Sequence, residues 1–437
     1  VENIKEEMKK IALLIVLLSF ATLIWGQNKV IKNDTSYFSN DLKEKPKVKS
    51  AWKQFSIENS IPLNSINSDN FSDLQFLTTI LENKKYIFLG ESSHYVKEFN
   101  EIKFRLIRFL FQELDFDVVV FESNIWDCYQ LKFLRDNYSS REILDKTIYG
   151  VWNTTTLNEL ISFVVENNIE FAGFDIKPSA LKYDYFFEKN VLPQIDSNLS
   201  VIAIKCCQEF LKCYSSQNQE QEIENLNQLL VDHQLLLDEL DQYIKTNKLD
   251  VDLIVYKKEI CNRINIISSI LIDDKGFTGS NRDSLMAETI EWLIKERYPN
   301  KRIIFWGHNG HISKNNRKDE KSMGFMLSDS ILNKSYVIGL YMFRGETFSN
   351  KIIEIRKPFK NSLEAIMIQP GYKYSFLDFS KVENSESSSW IHQEIPSLLW
   401  GRFKRSIILK KTYDGIIFID KASLPNHFIL DYNKKLK

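Results

Sequence analysis

The sequence predicts an α/β protein: a mostly parallel sheet flanked by helices, interrupted by an inserted all-helical lobe. Short apolar runs recur between amphipathic stretches at residues 86–89, 118–121, 171–174, 302–305, 336–341 and 415–419, as buried parallel strands with helical crossovers require. Between residues 197 and 273 this alternation stops, and helix formers with periodic Leu and Ile take over. Ionisable residues stand at the ends of successive strands: Glu91 and His94, then Glu122, then Asp175, then His308 and His311. In open α/β sheets the carboxyl-end rim is where ligands bind.

In chain order, residues 86–89 read as the first strand, and 99–114 as an amphipathic helix with Phe99, Ile102, Leu106, Phe109 and Leu110 along one side. A buried strand at 118–121, a helix at 157–166 and a strand at 171–174 complete the first part of the core. Leu226, Leu229, Leu230, Leu236, Leu237 and Leu240 give the next region its helical period. Polar breaks at 215–222 and 246–250 divide it into three long helices. A helix at 282–297 and three further strands resume the α/β pattern. The expected division is 1–26 signal peptide or N-terminal extension, 27–73 tether with a short helix near Trp52, 74–196 first core part, 197–275 helical lobe and 276–437 second core part. Such a lobe commonly shapes and covers a substrate cleft.

Length and composition suit a large globular body. The chain has 437 residues, 43% of them hydrophobic and 26% charged. A formal net charge of −1 gives no basis for a nucleic-acid or anionic-membrane partner. Lys9-Lys10, the apolar run 11–25 and Gly26 form a secretory pattern, which predicts a periplasmic or secreted protein. Met8 is the expected start, with residues 1–7 an upstream extension. The run falls short of the roughly 20 apolar residues of a spanning helix, so a membrane partner is expected only if it stays uncleaved. The first cysteine, Cys128, lies far beyond this run, against a lipid anchor. Five cysteines, an odd number without a CxxC, predict buried free thiols rather than a disulfide framework.

Several reaction classes lack their signatures: there is no Gly-x-Ser-x-Gly elbow, no phosphate loop and no Gly-rich dinucleotide fingerprint. The pairs Glu91/His94 and His308/His311 are each three residues apart, a spacing that puts both members on one face of a helical turn. A histidine whose tautomer is fixed by a carboxylate is a good general base for water, and Glu91 or Glu122 could fix His94. Structural roles are the alternative. Glu122 and Asp175 could be N-caps, His308 and His311 could cap a helix, and Arg282-Asp283 could be a helix-start ion pair. Lys103, Arg105 and Arg108 read as a solvated helix face, with Lys103 nearest the His94 end; Trp126 and Trp152 read as core or pocket wall. A second chemistry uses Glu91, His94, His308 and His311 as a Zn²⁺ site with an open water position. A third reading is a non-catalytic pocket for a cell-envelope or natural-product ligand.

Gly90-Glu91-Ser92-Ser93-His94, Glu98-Phe99, Lys103-Phe104-Arg105-Leu106 and Val120-Phe121-Glu122 resemble the erythromycin esterase family. So do Trp152 ahead of Asn167-Asn168, Gly173-Phe174-Asp175, Arg282-Asp283 with Met286-Ala287-Glu288, and His308-Asn309-Gly310-His311; Met323-Gly324 and Ile338-Gly339 continue the pattern. These matches keep the family's order over residues 74–419. The resemblance implies an α/β core with a helical lobe and hydrolysis of an ester, typically a macrolide lactone, without cofactor or acyl-enzyme. It gives His94 the role of general base, with Glu91 and Glu122 orienting it or binding the water. It gives His308 and His311 the substrate or the oxyanion, and sets Arg282, Lys103 and Asp175 among the substrate-binding groups. Lys103 stands where resistance members often carry arginine, which keeps the charge and loses the bidentate fork. The implied partner is a small-molecule ester or lactone, with antibiotic resistance as the associated role.

Overall fold

The computed structural model describes residues 45–178, 185–215, 219–246, 251–272, 279–315 and 321–427, with the side chains of 214–215 and 219–224 excepted. The expected N-terminal signal and the first part of the expected tether lie outside the described residues. Among the described residues, no helix is long and apolar enough to cross a membrane.

The strands are β1 (Ile61–Pro62), β2 (Tyr86–Leu89), β3 (Val118–Asn124), β4 (Glu170–Asp175), β5 (Ile303–Trp306), β6 (Ser335–Ser349), β7 (Lys351–Glu354), β8 (Tyr374–Asp378), β9 (Ile395–Leu399), β10 (Phe403–Ile407) and β11 (Gly415–Ala422). The main sheet runs β1-β8-β11-β6-β2-β5-β3-β4, with β7 folded back on β6. From β11 to β4 all neighbours are parallel, and β8 is antiparallel to β11. The six strands expected from sequence are these six parallel ones. The additional strands β1, β7 and β8 and the separate β9–β10 hairpin were not expected.

The pleat divides the core into two layers. Phe88, Val120, Phe305 and Phe418 face one side, and Ile87, Val119, Ile304 and Ile417 face the other. Burial on both faces explains why these strands are continuously apolar. The helix Lys97–Leu114 covers the second face with Phe99, Ile102 and Leu106. The helices Ser197–Ser215, Gln219–Thr246 and Val251–Ile272 form the lobe region. Leu236, Leu240, Leu253 and Tyr256 join the first face's core beside Trp126, which is therefore core. All five cysteines are free.

One expectation about the helix face is overturned. Arg105 is fully buried, ion-paired to Asp73 at 2.5 Å and donating to the carbonyls of Ser65, Ser68 and Asn70. The segment between β1 and β2 lies over this side of the helix, so a side that looks solvated in sequence is covered.

Strand order positions the rim. The chain leaves β2 for β3 on one side, while β5 lies between them and leaves for β6 on the other, so connections diverge from adjacent carboxyl ends. The loops after β2 and β5 are zipped together: Asn309 N–H donates to the Glu91 carbonyl at 2.9 Å, and Gly307 N–H to that of Leu89 at 3.1 Å. The Asn309 amide spans to β6, donating to the Leu340 carbonyl and accepting from its N–H. A Cβ on Gly90 would lie 2.0 Å from Asn309 Oδ1 and 2.7 Å from Ile312 Cδ1. Gly90→Ala should therefore lower stability by about 1–3 kcal/mol, as overpacked cores do; urea denaturation of the two proteins checks this, and an unchanged midpoint would contradict the packing.

Candidate active site

Glu91 is buried, and polar groups meet both of its carboxylate oxygens. Its Oε1 lies 2.5 Å from His94 Nδ1 and accepts from Trp152 Nε1 at 3.0 Å; its Oε2 accepts from Lys103 Nζ at 2.5 Å. Burial would raise this carboxyl, but the Lys103 charge and His94 hold it below the usual range. An ionised carboxylate accepts only, so His94 donates from Nδ1, and the neutral tautomer this selects presents an Nε2 lone pair. The expected helical turn is not what joins the pair: residues 92–95 form a bend, and the helix starts at Lys97. Thr347 pins that bend, its hydroxyl donating to the His94 carbonyl at 2.8 Å and meeting Ser93 Oγ at 2.8 Å.

Lys103 corrects the sequence reading. It was expected to bind substrate, yet it is wholly buried behind Glu91, 3.8 Å above the Trp306 ring. Burial pulls its ammonium down to about 8 against the opposing Glu91 charge. Asp175 is corrected in the same way. It too is fully buried, clamped by Arg282 Nε at 3.0 and 3.1 Å and by Arg282 Nη2, and it accepts from Tyr149 Oη at 2.8 Å. Burial favours its neutral form, but Arg282 and Tyr149 keep its carboxyl below the usual value. Lys103 and Asp175 hold the groups that touch the cavity and do not touch it themselves.

Arg282 and Asp283, adjacent on the helix Gly279–Trp292, diverge instead of pairing. Arg282 reaches Asp175 and Glu122, whereas Asp283 Oδ1 lies 2.7 Å from His311 Nδ1. His311 Nε2 stands 3.3 Å from Glu122 Oε1 and 3.2 Å from Arg282 Nη1. Burial disfavours its charge, but Glu122 and Asp283 together raise its pKa above the ordinary imidazole value. Glu122 Oε2 accepts the backbone N–H of His308 at 2.6 Å, so it ties the two histidine-bearing segments together and caps no helix.

His308 is the N-cap of the short helix Asn309–Ile312. Its Nδ1 accepts from Gly310 N–H at 3.1 Å, which leaves the proton on Nε2. That nitrogen has no hydrogen-bond partner among the described residues. Burial, with His94, His311 and Lys103 nearby, pushes its pKa well below the ordinary value, so the ring is neutral. The rings of His94 and His308 are 5.1 Å apart. Both face a cavity of about 560 Å³ that Glu122, Arg282 and His311 also line, walled by Tyr149, Trp152 and Trp400.

Among the described residues, no group of three or more His, Cys, Asp or Glu side chains is placed to hold a metal ion. Both Glu91 oxygens are already engaged, and His308 and His311 turn apart, their rings 6.4 Å from each other. The alternative ligand set Glu91, His94, His308 and His311 is not assembled as one.

Sequence reasoning missed Trp400. It occupies the turn between β9 and β10, where Arg402 N–H closes on the Leu399 carbonyl and both Trp400 and Gly401 have positive φ. Its N–H donates to the Ser92 carbonyl at 3.0 Å, and its ring stacks on His308 at 4.4 Å and 18°. The Trp-Gly pair between two short runs was a legible turn signal, but not a signal of where the turn docks. Trp400→Ala should hydrate His308 and raise its pKa. NMR titration of ¹³C-labelled histidines would show a His308 resonance titrating closer to the ordinary value, and an unmoved titration would remove Trp400 from this role.

The family model for erythromycin esterases matches residues 111–422, beginning downstream of His94 and taking in Glu122, Asp175, Arg282, His308 and His311. YbfO of Bacillus subtilis (strain 168), a protein with a provisional hydrolase name, is 26% identical over 84% of this chain and 90% of its own length. An Escherichia coli erythromycin esterase type II is 23% identical over 82% of this chain and 94% of its own. Two solved structures give the same fold. A Bacillus cereus protein has a TM-score of 0.72 at 17% identity, covering 86% of this chain and 98% of that one. A mutant erythromycin esterase in its open conformation has a TM-score of 0.59 at 16% identity, covering 83% and 96%. The chain belongs to the erythromycin esterase family, and a hydrolase is the activity class that membership supports.

Proposed function

We propose that this protein is an exported hydrolase of carboxylic esters or lactones in which His94 activates water directly. The observation that carries the proposal is the His94–Glu91 contact of 2.5 Å at the wall of a cavity shared with His308. With Nδ1 held by a carboxylate, Nε2 can take the proton of a water attacking a bound carbonyl. His308 supplies a neutral N–H close by, and neutral donors aimed at developing negative charge are worth about 3 kcal/mol each. Arg282 brings a cation to the lining of the same cavity. Water attack needs neither an acyl-enzyme nor a resident metal in this scheme.

The aromatic walls and the cavity's size suit a ligand with a sizeable apolar part, whose remote contacts would hold the scissile bond in place. A macrolide lactone is one candidate, and the names of the relatives support it; a resistance role follows only if that substrate holds. Export rests on the basic and apolar N-terminal pattern alone.

A panel of macrolides and simple aryl esters, followed by mass gain of one water, tests the activity. His94→Ala should lower kcat by roughly 10²–10⁴-fold while circular dichroism shows the fold retained, and a variant with near-wild-type kcat would refute the assignment. Activity should survive excess chelator; its loss, restored by Zn²⁺, would move the protein to metal-dependent hydrolysis.

A further inference from the structure

Two imidazole–carboxylate dyads face one cavity, and their surroundings are opposite. His94 and His311 each hold a carboxylate on Nδ1, Glu91 at 2.5 Å and Asp283 at 2.7 Å, and so each offers Nε2 for proton transfer. At the first dyad the carboxylate is neutralised from behind by the buried Lys103. At the second, the other oxygen of Asp283 accepts from the backbone N–H of Met323, and Glu122 adds a second carboxylate 3.3 Å from His311 Nε2. We propose that His311 is the second proton carrier of this site, the acid that protonates the departing oxygen, and that the site is built for esters of unactivated aliphatic alcohols. The inference rests on the proposed water-activating hydrolysis and extends it to the leaving group.

His311 Nε2 has a partner in either charge state. As an imidazolium it donates toward Glu122 Oε1; as a neutral ring it accepts from Arg282 Nη1 at 3.2 Å. Arg282 is fixed for this by Asp175 behind it, so losing the proton requires no rearrangement. The charged and titratable groups facing the ring are Asp283 and Arg282 of its packing helix, Glu122 of β3 and the neutral His308 one turn back. Burial works against the imidazolium, and the two carboxylates outweigh it. The two carboxylates thus favour at His311 the protonated form that a general acid needs.

The steps balance. His94 Nε2 takes one proton from water as its oxygen bonds to the carbonyl carbon. The tetrahedral adduct collapses by breaking the bond to the alcohol oxygen, which takes the His311 proton as it leaves. His94 ends charged and His311 neutral, and exchange of one proton with solvent resets both. An aliphatic alkoxide is about as basic as hydroxide and departs poorly without a proton, whereas a phenolate is roughly six pKa units less basic.

The test compares ethyl acetate with 4-nitrophenyl acetate on the full chain, its His311→Gln and Asp283→Asn variants, and His94→Ala as control. His311→Gln should lower kcat/KM for the ethyl ester by about 100-fold or more and for the aryl ester much less, so their ratio falls at least about tenfold. Asp283→Asn should shift the ratio the same way, which keeps the test available if His311→Gln does not fold. The wild-type ethyl-ester rate should also fall on the alkaline side as His311 loses its proton, without a matching limb for the aryl ester. Equal losses on both esters with unchanged pH profiles would overturn the inference while leaving water activation by His94 intact. No turnover of either ester by the wild type would sink both readings together.

Discussion

The buried carboxylate of Glu91 is the constraint on which the rest of the site depends. An ionised carboxylate removed from water costs several kcal/mol unless its lone pairs are met by donors. Here three donors converge on it from three elements: Lys103 from the helix after β2, Trp152 from the segment before the helix Thr155–Glu166, and His94 from its own loop. Satisfying Glu91 therefore fixes the relative positions of all three. The imidazole is oriented as a by-product of meeting a buried charge, and the same donors keep the carboxylate ionised. Lys103 makes its ion pair with Glu91, while Glu122 acts on it only from a distance, so the buried pair depends on both partners.

The sheet brings this network to the other functional groups. Residues more than two hundred positions apart meet because β5 is inserted between β2 and β3, which makes the loops after β2 and β5 immediate neighbours. Asn309 then locks them together and to β6, using the space that a side chain at position 90 would occupy. Glu122 at the end of β3 performs the corresponding task on the other side, accepting the His308 N–H while reaching Arg282 and His311. The cavity is thus held by polar contacts between strand ends, over an apolar double-layered core.

How much of this was legible follows from what each residue is buried against. The six parallel strands could be read because both of their faces are covered and their sequences are apolar throughout. β7 and β10 are partly exposed, and β10 mixes Lys404, Arg405 and Ser406 among its apolar residues, which erases the signal; β9 is interrupted by Pro396 and Ser397. The candidate histidines and carboxylates were identifiable as types at strand ends, but their division of labour was not. Lys103 and Arg105 look alike on a polar helix side. One lies behind Glu91 and the other under a loop, and both coverings are tertiary. Arg282 and Asp283 looked like a pair because they are adjacent, yet on a helix adjacent side chains point about 100° apart.

The same reasoning bears on backbone strain. Tyr95 and Trp400 both have φ near +57°, a region that bulky residues rarely adopt, and both line the cavity. Such conformations cost about 1–3 kcal/mol each and persist only where surrounding bonds over-determine them. For Trp400 those bonds are visible: its N–H is committed to the Ser92 carbonyl, and the next carbonyl, of Gly401, accepts from Arg356 N–H. Asparagine or glycine would suit the turn better, so hairpin geometry gives no reason for an indole there. What the indole adds is its stack on His308, which covers that ring, and its edge against His94, 5.0 Å away. The strain in this hairpin is therefore best understood as part of the site, because the strained residue's ring packs on both histidines.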